Sequence, residues 1–315
     1  MFSAVINSVV PIFGVILIGW ICAKTELLQP AATDALNRFV VYIALPSLLF
    51  IAMAKADLQA MAEVGFVVSF TVGTLITSLA YLFMSRRDDI EPLPRMINAM
   101  SASYANAGFM GIPLILLVFG ESALPIAVIG AVLTVAVQFA VTIVVIETQR
   151  AKGTSLIPVL RKVSRSLLKN PILIGTVAGI SVSAFNLELP IAINDLVDLL
   201  AKAATPCALF TIGLFLAQSD RPAQSPAIAQ IVWLKLVVHP VSVGVLALFV
   251  FDLDPLWAWC AILTTALPVG TGPFMLANLY HRDPSVSARA ILISTLLSVF
   301  SLTALIAWIN LRQIA

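Results

Sequence analysis

Apolar residues fill almost the whole chain in long blocks, separated by short polar or turn-forming stretches. Examples are Lys24-Thr-Glu26, Ser85-Arg86-Arg87-Asp88-Asp89 and Ser219-Asp220-Arg221-Pro222. A helix needs about 20 apolar residues to cross the hydrocarbon of a bilayer. Ten such spans are predicted, at roughly 4–23, 33–54, 61–84, 95–119, 123–147, 168–186, 191–217, 227–250, 256–280 and 286–310. The fold class expected is therefore an all-α polytopic membrane protein. No linker is long enough for a soluble domain. The longest, 149–167, mixes Arg150, Lys152, Arg161, Lys162 and Arg165 with Leu156, Ile157, Val159, Leu160 and Val163. It suits either a short basic helix lying on the membrane or a solvated anchor.

Two spans carry sequences that oppose a continuous helix. The fourth contains Tyr104-Ala-Asn106-Ala-Gly108-Phe-Met-Gly111-Ile-Pro113, and the ninth Ala266-Leu-Pro268-Val-Gly270-Thr271-Gly272-Pro273. Pro113 has no N–H, so the Phe109 carbonyl loses its helical partner, and the glycines lower helix propensity further. Within hydrocarbon, irregular backbone is tolerated only where protein surrounds it or where it lines a cavity. Interrupted segments at matching positions of two halves point to a transporter's binding site. A single kink of this kind is readily absorbed by neighbouring helices; a symmetric pair is harder to explain that way.

The two halves do match. A shift of 160 positions superposes Pro11 on Pro171, Pro30 on Pro190, Pro46 on Pro206 and Pro113 on Pro273. Gly19 falls on Gly179, and Leu49-Phe50 on Leu209-Phe210. The chain divides into a first five-helix repeat (1–148), the basic linker (149–167) and a second repeat (168–315). Five spans per half is an odd number, so the second repeat enters the membrane from the opposite side and is inverted, with the fourth and ninth helices crossing.

Composition agrees: 60% hydrophobic and 11% charged residues, with a mean hydropathy of +1.04, exclude an ordinary soluble domain. Met1 onward reads as the first span rather than a removable signal. Cys22, Cys207 and Cys260 all fall in apolar spans without metal-ligand spacing, and read as small core hydrophobes. Sorting the basic residues by loop orients the chain. With the N-terminus outside, fourteen of the 18 Lys and Arg fall in inner loops, and only Lys55 and Arg312 lie outside. Positive charge belongs on the cytoplasmic side, so both termini are expected outside the cell membrane, a bacterial inner membrane.

Chemistry centres on the interruptions. Two helix N-termini there would carry free N–H groups and partial positive charge that favour an anion. Glycines allow close approach to the backbone, Asn106 and Thr271 offer side-chain hydrogen bonds, and Ser103 is a candidate for substrate contact or ion coupling. The candidate substrate-binding residues are Asn106, Gly108, Gly111, Pro113, Gly270, Thr271, Gly272 and Pro273. A helix end contributes about 0.3–1 kcal/mol to anion binding, up to about 2 when buried, against several kcal/mol for desolvating an ion. Two ends with polar help suit a monocarboxylate; a dicarboxylate calls for a cationic side chain.

Lys235, with His239 one turn on, is a candidate for substrate contact or coupling. The alternatives are an inward snorkel for Lys235 and a packed, hydrogen-bonded His239. Lys202 with Asp198 and Asp195 reads as a structural ion-pair network near the outer end. No Asp or Glu lies in the core of either interrupted span, so the usual proton-relay carboxylate is missing there. No cofactor or resident metal is expected; the coupling ion, H+ or Na+, stays open.

These residues resemble the auxin efflux carrier family, which joins plant PIN-formed carriers to bacterial malonate and malate permeases. The resemblance rests on Asn37-Arg-Phe-Val40 with Leu45-Pro46, on Asn106 followed by Gly111 and Pro113, and on Ala266-Leu-Pro268, Gly270, Pro273-Phe274 and Ala277. It covers essentially all ten spans, but the plants' long central loop is absent. The resemblance implies a scaffold of spans 1, 2, 6 and 7 that often dimerises, and a mobile domain of spans 3–5 and 8–10. Substrate, a small organic anion, would bind between them at Asn106 and the Pro113 and Pro273 breaks, with elevator-like motion. Alternatives are a sodium-coupled symporter of bile-acid type, an auxin-like aromatic carboxylate exporter and a channel. An enzyme is not expected, because no nucleophile–base pair or His-Glu-x-x-His motif is present. Nothing suggests nucleic acid as a partner.

Overall fold

The structure is a computed structural model and describes residues 2–56, 63–151, 161, 164, 165, 168–217 and 226–314. Most of the basic linker 149–167 and the whole turn at Ser219-Asp220-Arg221-Pro222 lie outside the described residues. Within them the regular structure is helical: α1 (Phe2–Lys24), α2 (Pro30–Ala54), α3 (Val64–Met84), α4 (Pro92–Ser101), α5 (Ala107–Phe119) and α6 (Glu121–Gln149). There follow α7 (Pro171–Ala184), α8 (Ile191–Ala217), α9 (Pro226–Val250), α10 (Pro255–Ala266), α11 (Gly272–Leu279) and α12 (Ser285–Ile314). Helices α2, α3, α6, α8, α9 and α12 are each long and apolar enough to cross a membrane. Shorter apolar helices are α5, α7, α10 and the 10–24 part of α1. The chain is an all-α, multi-pass membrane protein.

Local sequence sets many of the helix starts. Proline is the first residue of α2, α4, α7, α9 and α10, where its missing N–H would have had no helical partner anyway. Asn170 caps α7 by accepting the Ile172 N–H (3.0 Å), and Asp254 caps α10 by accepting that of Leu256 (2.9 Å). Gly120 takes φ +81° where α5 hands over to α6, a backbone geometry that glycine adopts freely.

Three prolines inside the helices widen the backbone rather than end it. Wide π turns at Val40–Ala44, Ala107–Gly111 and Leu234–Val238 each finish two residues before a proline, Pro46, Pro113 and Pro240. The ring would clash with the carbonyl four residues back, and one extra residue in the preceding turn relieves it. Pro206 is handled differently: α8 is interrupted at Ala203, three residues ahead.

Two tight helix pairs are built on glycine. The second half of α8 lies along α1, and α7 lies along the second half of α2. A Cβ on Gly19 would strike the Phe210 carbonyl, and one on Gly179 would strike the Phe50 carbonyl. Gly213 is held equally hard against the Ile16 carbonyl and the Trp20 N–H. Small residues at such crossings let backbones touch, which is how helices associate where lipid removes the hydrophobic drive. Gly213→Ala is therefore expected to cost about 1–3 kcal/mol through overpacking. Gly14→Ala, where a Cβ meets no atom within 4 Å, should leave the melting temperature unchanged or raise it. Thermal unfolding of the two variants in detergent checks the contrast.

The remaining helices cluster around α9 and α10. Residues His239–Val245 of α9 lie against α3 and α10, α4 lies against α11, and α12 runs along Pro226–Trp233 of α9 and along α10. This arrangement brings the ends of α4 and α10 together.

Candidate functional site

Both predicted interruptions are present, and they meet. Helix α4 ends at Ser101, the chain unwinds, and α5 begins after Asn106. Helix α10 ends at Ala266, the chain runs extended, and α11 begins at Gly272. The unwound stretches pair as a two-residue antiparallel bridge, with Ala105 opposite Val269. The Asn106 N–H donates to the Pro268 carbonyl (2.9 Å), and the Gly270 N–H donates to the Tyr104 carbonyl (2.9 Å). Backbone groups that would be stranded in a low-dielectric interior are thus satisfied by each other.

Side chains complete the accounting. Ser294 of α12 accepts the Val269 N–H (3.0 Å), and Lys235 Nζ donates to the Thr265 carbonyl in the last turn of α10 (2.6 Å). The bridge needs glycine at two positions. A Cβ on Gly270 would lie 2.8 Å from the Ala105 carbonyl oxygen, and one on Gly272 would collide with the Tyr104 ring. Gly111 is close too, its Cβ position 2.7 Å from the Leu267 side chain. At Gly108 the opposite holds: nothing lies within 4 Å, so there is room beside the first turn of α5.

The break is not made by Pro113. That residue lies beyond the π turn Ala107–Gly111, as the second residue of the regular helical stretch Ile112–Phe119, while the unwinding occurs ahead of Asn106. Pro273, by contrast, is the second residue of α11. The structural register between the two helix starts is therefore 165 positions, which aligns Asn106 with Thr271 and Phe109 with Phe274. Each start carries a polar residue just before the helix and a partly exposed phenylalanine three residues later. The Asn106 side chain is 5% exposed and makes no capping bond to its own helix. The Phe274 ring meets Phe215 of α8 edge to face, with centroids 5.6 Å apart.

The other sequence candidates divide. Lys235 is fully buried, so it does not snorkel to the surface; it holds the end of α10. His239 is also fully buried and its Nε2 is 3.1 Å from Thr74 Oγ1 of α3, with the Phe70 ring edge-on beside it. Ser103 is hydrogen-bonded to Ser78 of α3 and Gln138 of α6, each 2.7 Å from its Oγ. Lys202 and Asp198 form an exposed i,i+4 ion pair (2.7 Å), as read from their spacing. Sequence reasoning missed Ser294, Thr74, Ser78 and Gln138. Gln138 had a signal of its own, an amide in an otherwise apolar run. Among the described residues, no three His, Cys, Asp or Glu side chains gather as a metal site.

Comparison with known proteins accords with this geometry. Residues 4–306 match the family described as "Membrane transport protein". A Rhizobium meliloti protein named "Putative malonate transporter" is 31% identical over 309 residues, 96% of this chain and 95% of its own length. An "Uncharacterized transporter" of Methanothermobacter thermautotrophicus is 24% identical across 96% of this chain and 97% of its own. "Auxin efflux carrier component 1" of Arabidopsis thaliana is 29% identical over 147 residues, 45% of this chain and 24% of that protein. With the match running nearly end to end, the chain belongs to this membrane transport family, that of the auxin efflux carriers.

Proposed function

We propose that the protein is a secondary carrier for small carboxylates, mono- or dicarboxylates such as malonate or malate, which bind at the two helix starts beside the bridge. The observation that carries this reading is the paired unwinding itself. It aims the N-termini of α5 and α11, with Asn106 and Thr271 ahead of them, into the protein interior, where their first N–H groups have no helical partner. The space beside Gly108 gives a carboxylate a place to sit. The name of the Rhizobium meliloti relative points to the same substrate class.

The same reading takes α4–α5 and α10–α11 as single interrupted crossings, which makes ten crossings in two inverted repeats. Packing supports the repeat: the 160-residue shift carries the Gly19–Phe210 contact onto Gly179–Phe50, with the partners exchanged. Glu26 and Asn186, also 160 apart, share left-handed backbone with φ of 59° and 47°. Helices α1, α2, α7 and α8, locked by glycine, form the scaffold and the surface for a homodimer. The remaining helices move past them as an elevator. The Phe215–Phe274 contact between α8 and α11 lies on that sliding surface. Both termini face outward from the cell membrane.

Proteoliposome uptake tests the reading. Malonate or malate uptake should saturate and show counterflow, and unlabelled carboxylate should raise the melting temperature of the purified protein. Flux that never saturates and shows no counterflow would assign a channel instead.

A further inference from the structure

A second polar cluster is built on Ser103, in the first break itself. Ser103, 1% exposed, is shared between Ser78 Oγ and the Gln138 amide, each 2.7 Å from its Oγ. In that arrangement Gln138 Nε2 donates to Ser103, and Gln138 Oε1 is buried without any hydrogen-bond partner. An unpaired buried acceptor costs about 1–3 kcal/mol, so Gln138 Oε1 favours a donor or a cation beside it.

The adjoining backbone adds oxygen. At the end of α4 the Ser103 N–H bonds to the Met100 carbonyl (3.0 Å), so the Ala99 carbonyl, four residues back, loses its usual helical donor. Its contact here is the Ser103 hydroxyl, at 3.5 Å. The Ala99 and Met100 carbonyls belong to the negative end of the α4 dipole. Helices α3, α4 and α6 thus bring a hydroxyl, a carbonyl and an amide up to the Ser103 hydroxyl. None of these ligands is a carboxylate, which divalent cations of the calcium type use to balance their charge.

We propose that this cluster binds a sodium ion, held by Ser78 Oγ, Ser103 Oγ, Gln138 Oε1 and the Ala99 carbonyl. The hydroxyls now bonded to one another would turn their lone pairs to the ion. Bound there, the cation completes the Gln138 acceptor and pins Ser103, three residues before Asn106. The site makes the carrier sodium-coupled: ordering the first break prepares the α5 start for the anion, and the cation's charge offsets the anion's. This coupling rests on the carrier reading above; sodium binding itself does not.

The test uses the full chain purified in detergent, with NaCl replaced by choline chloride at constant ionic strength. The melting temperature should rise saturably with sodium. Ser103→Ala and Gln138→Leu, each compared with its own melting temperature in choline, should need at least tenfold more sodium for the same rise. Should Gln138→Leu fail to fold, Gln138→Glu adds a charged oxygen at the same place and should lower the sodium requirement. Equal melting in sodium and choline would overturn the site and assign a water to it, as would full retention of the sodium response in both variants. Malonate added in choline keeps the two readings apart. Stabilisation there without any sodium effect leaves the carrier and removes the cation, whereas a sodium effect with no malonate effect in either salt leaves the site and removes the carrier.

Discussion

Replacing Asn106 by alanine should weaken carboxylate binding roughly ten- to a hundredfold while leaving the protein folded. The estimate follows from one hydrogen bond to a charged group, worth about 1.5–3 kcal/mol when made in a desolvated site. Folding should survive because the Asn106 backbone, not its side chain, makes the bridge: the N–H goes to Pro268, and the carbonyl accepts from Met110 (3.1 Å) and Gly111 (3.0 Å). Alanine keeps all three bonds. Isothermal titration with malonate, alongside a melting curve, reads both halves of the prediction. Unchanged affinity would take Asn106 out of the site. A collapse in melting temperature would mean that the amide supports the fold instead. Thr271→Ala is the matching change on the second helix start, and a smaller effect is expected, since a hydroxyl offers one donor where the amide offers two.

Much of this architecture is legible in the sequence, because membrane crossings obey one strong rule. The run-length of apolar residues located every long helix to within a few residues, and the pairing of two Gly- and Pro-rich interruptions anticipated their meeting. What the sequence could not give was the position of the first break. Pro113 drew attention as the disrupting residue, but a proline can be accommodated by a widened turn, and the π turn ahead of it does so. Unwinding before Asn106 is decided by partners from the other half of the chain: Pro268 and Gly270 take the backbone bonds that the helix gives up. The proline match at 160 and the helix-start match at 165 differ for that reason. One repeat absorbs its proline with a π turn, and the other uses it to begin a helix.

Polar partners across helices were equally hidden. Thr74 and His239 are 165 residues apart, and Ser78 and Gln138 reach Ser103 in the first break from two different helices. Spacing along one helix says nothing about such meetings. Spacing did identify Lys202 with Asp198, because that pair is local.

The role of Lys235 is where geometry changes the expectation most. As an isolated cation in a span it suggested direct contact with the second carboxylate of a dicarboxylate. Its side chain is instead sealed from solvent and committed to the Thr265 carbonyl, at the end of α10 and one turn before the bridge. It is a positioning residue: it holds the second break in place. Lys235→Met keeps the length and bulk of the chain but cannot donate, leaving a buried carbonyl unpaired at a cost of about 1–3 kcal/mol. The melting temperature should fall by several degrees. Mono- and dicarboxylate affinity should weaken by the same factor, because both depend on the α11 helix start that the bridge aims. Acetate and malonate titrations on the same preparation make the comparison. A loss confined to malonate would put the Lys235 amine on the substrate and return it to the binding site.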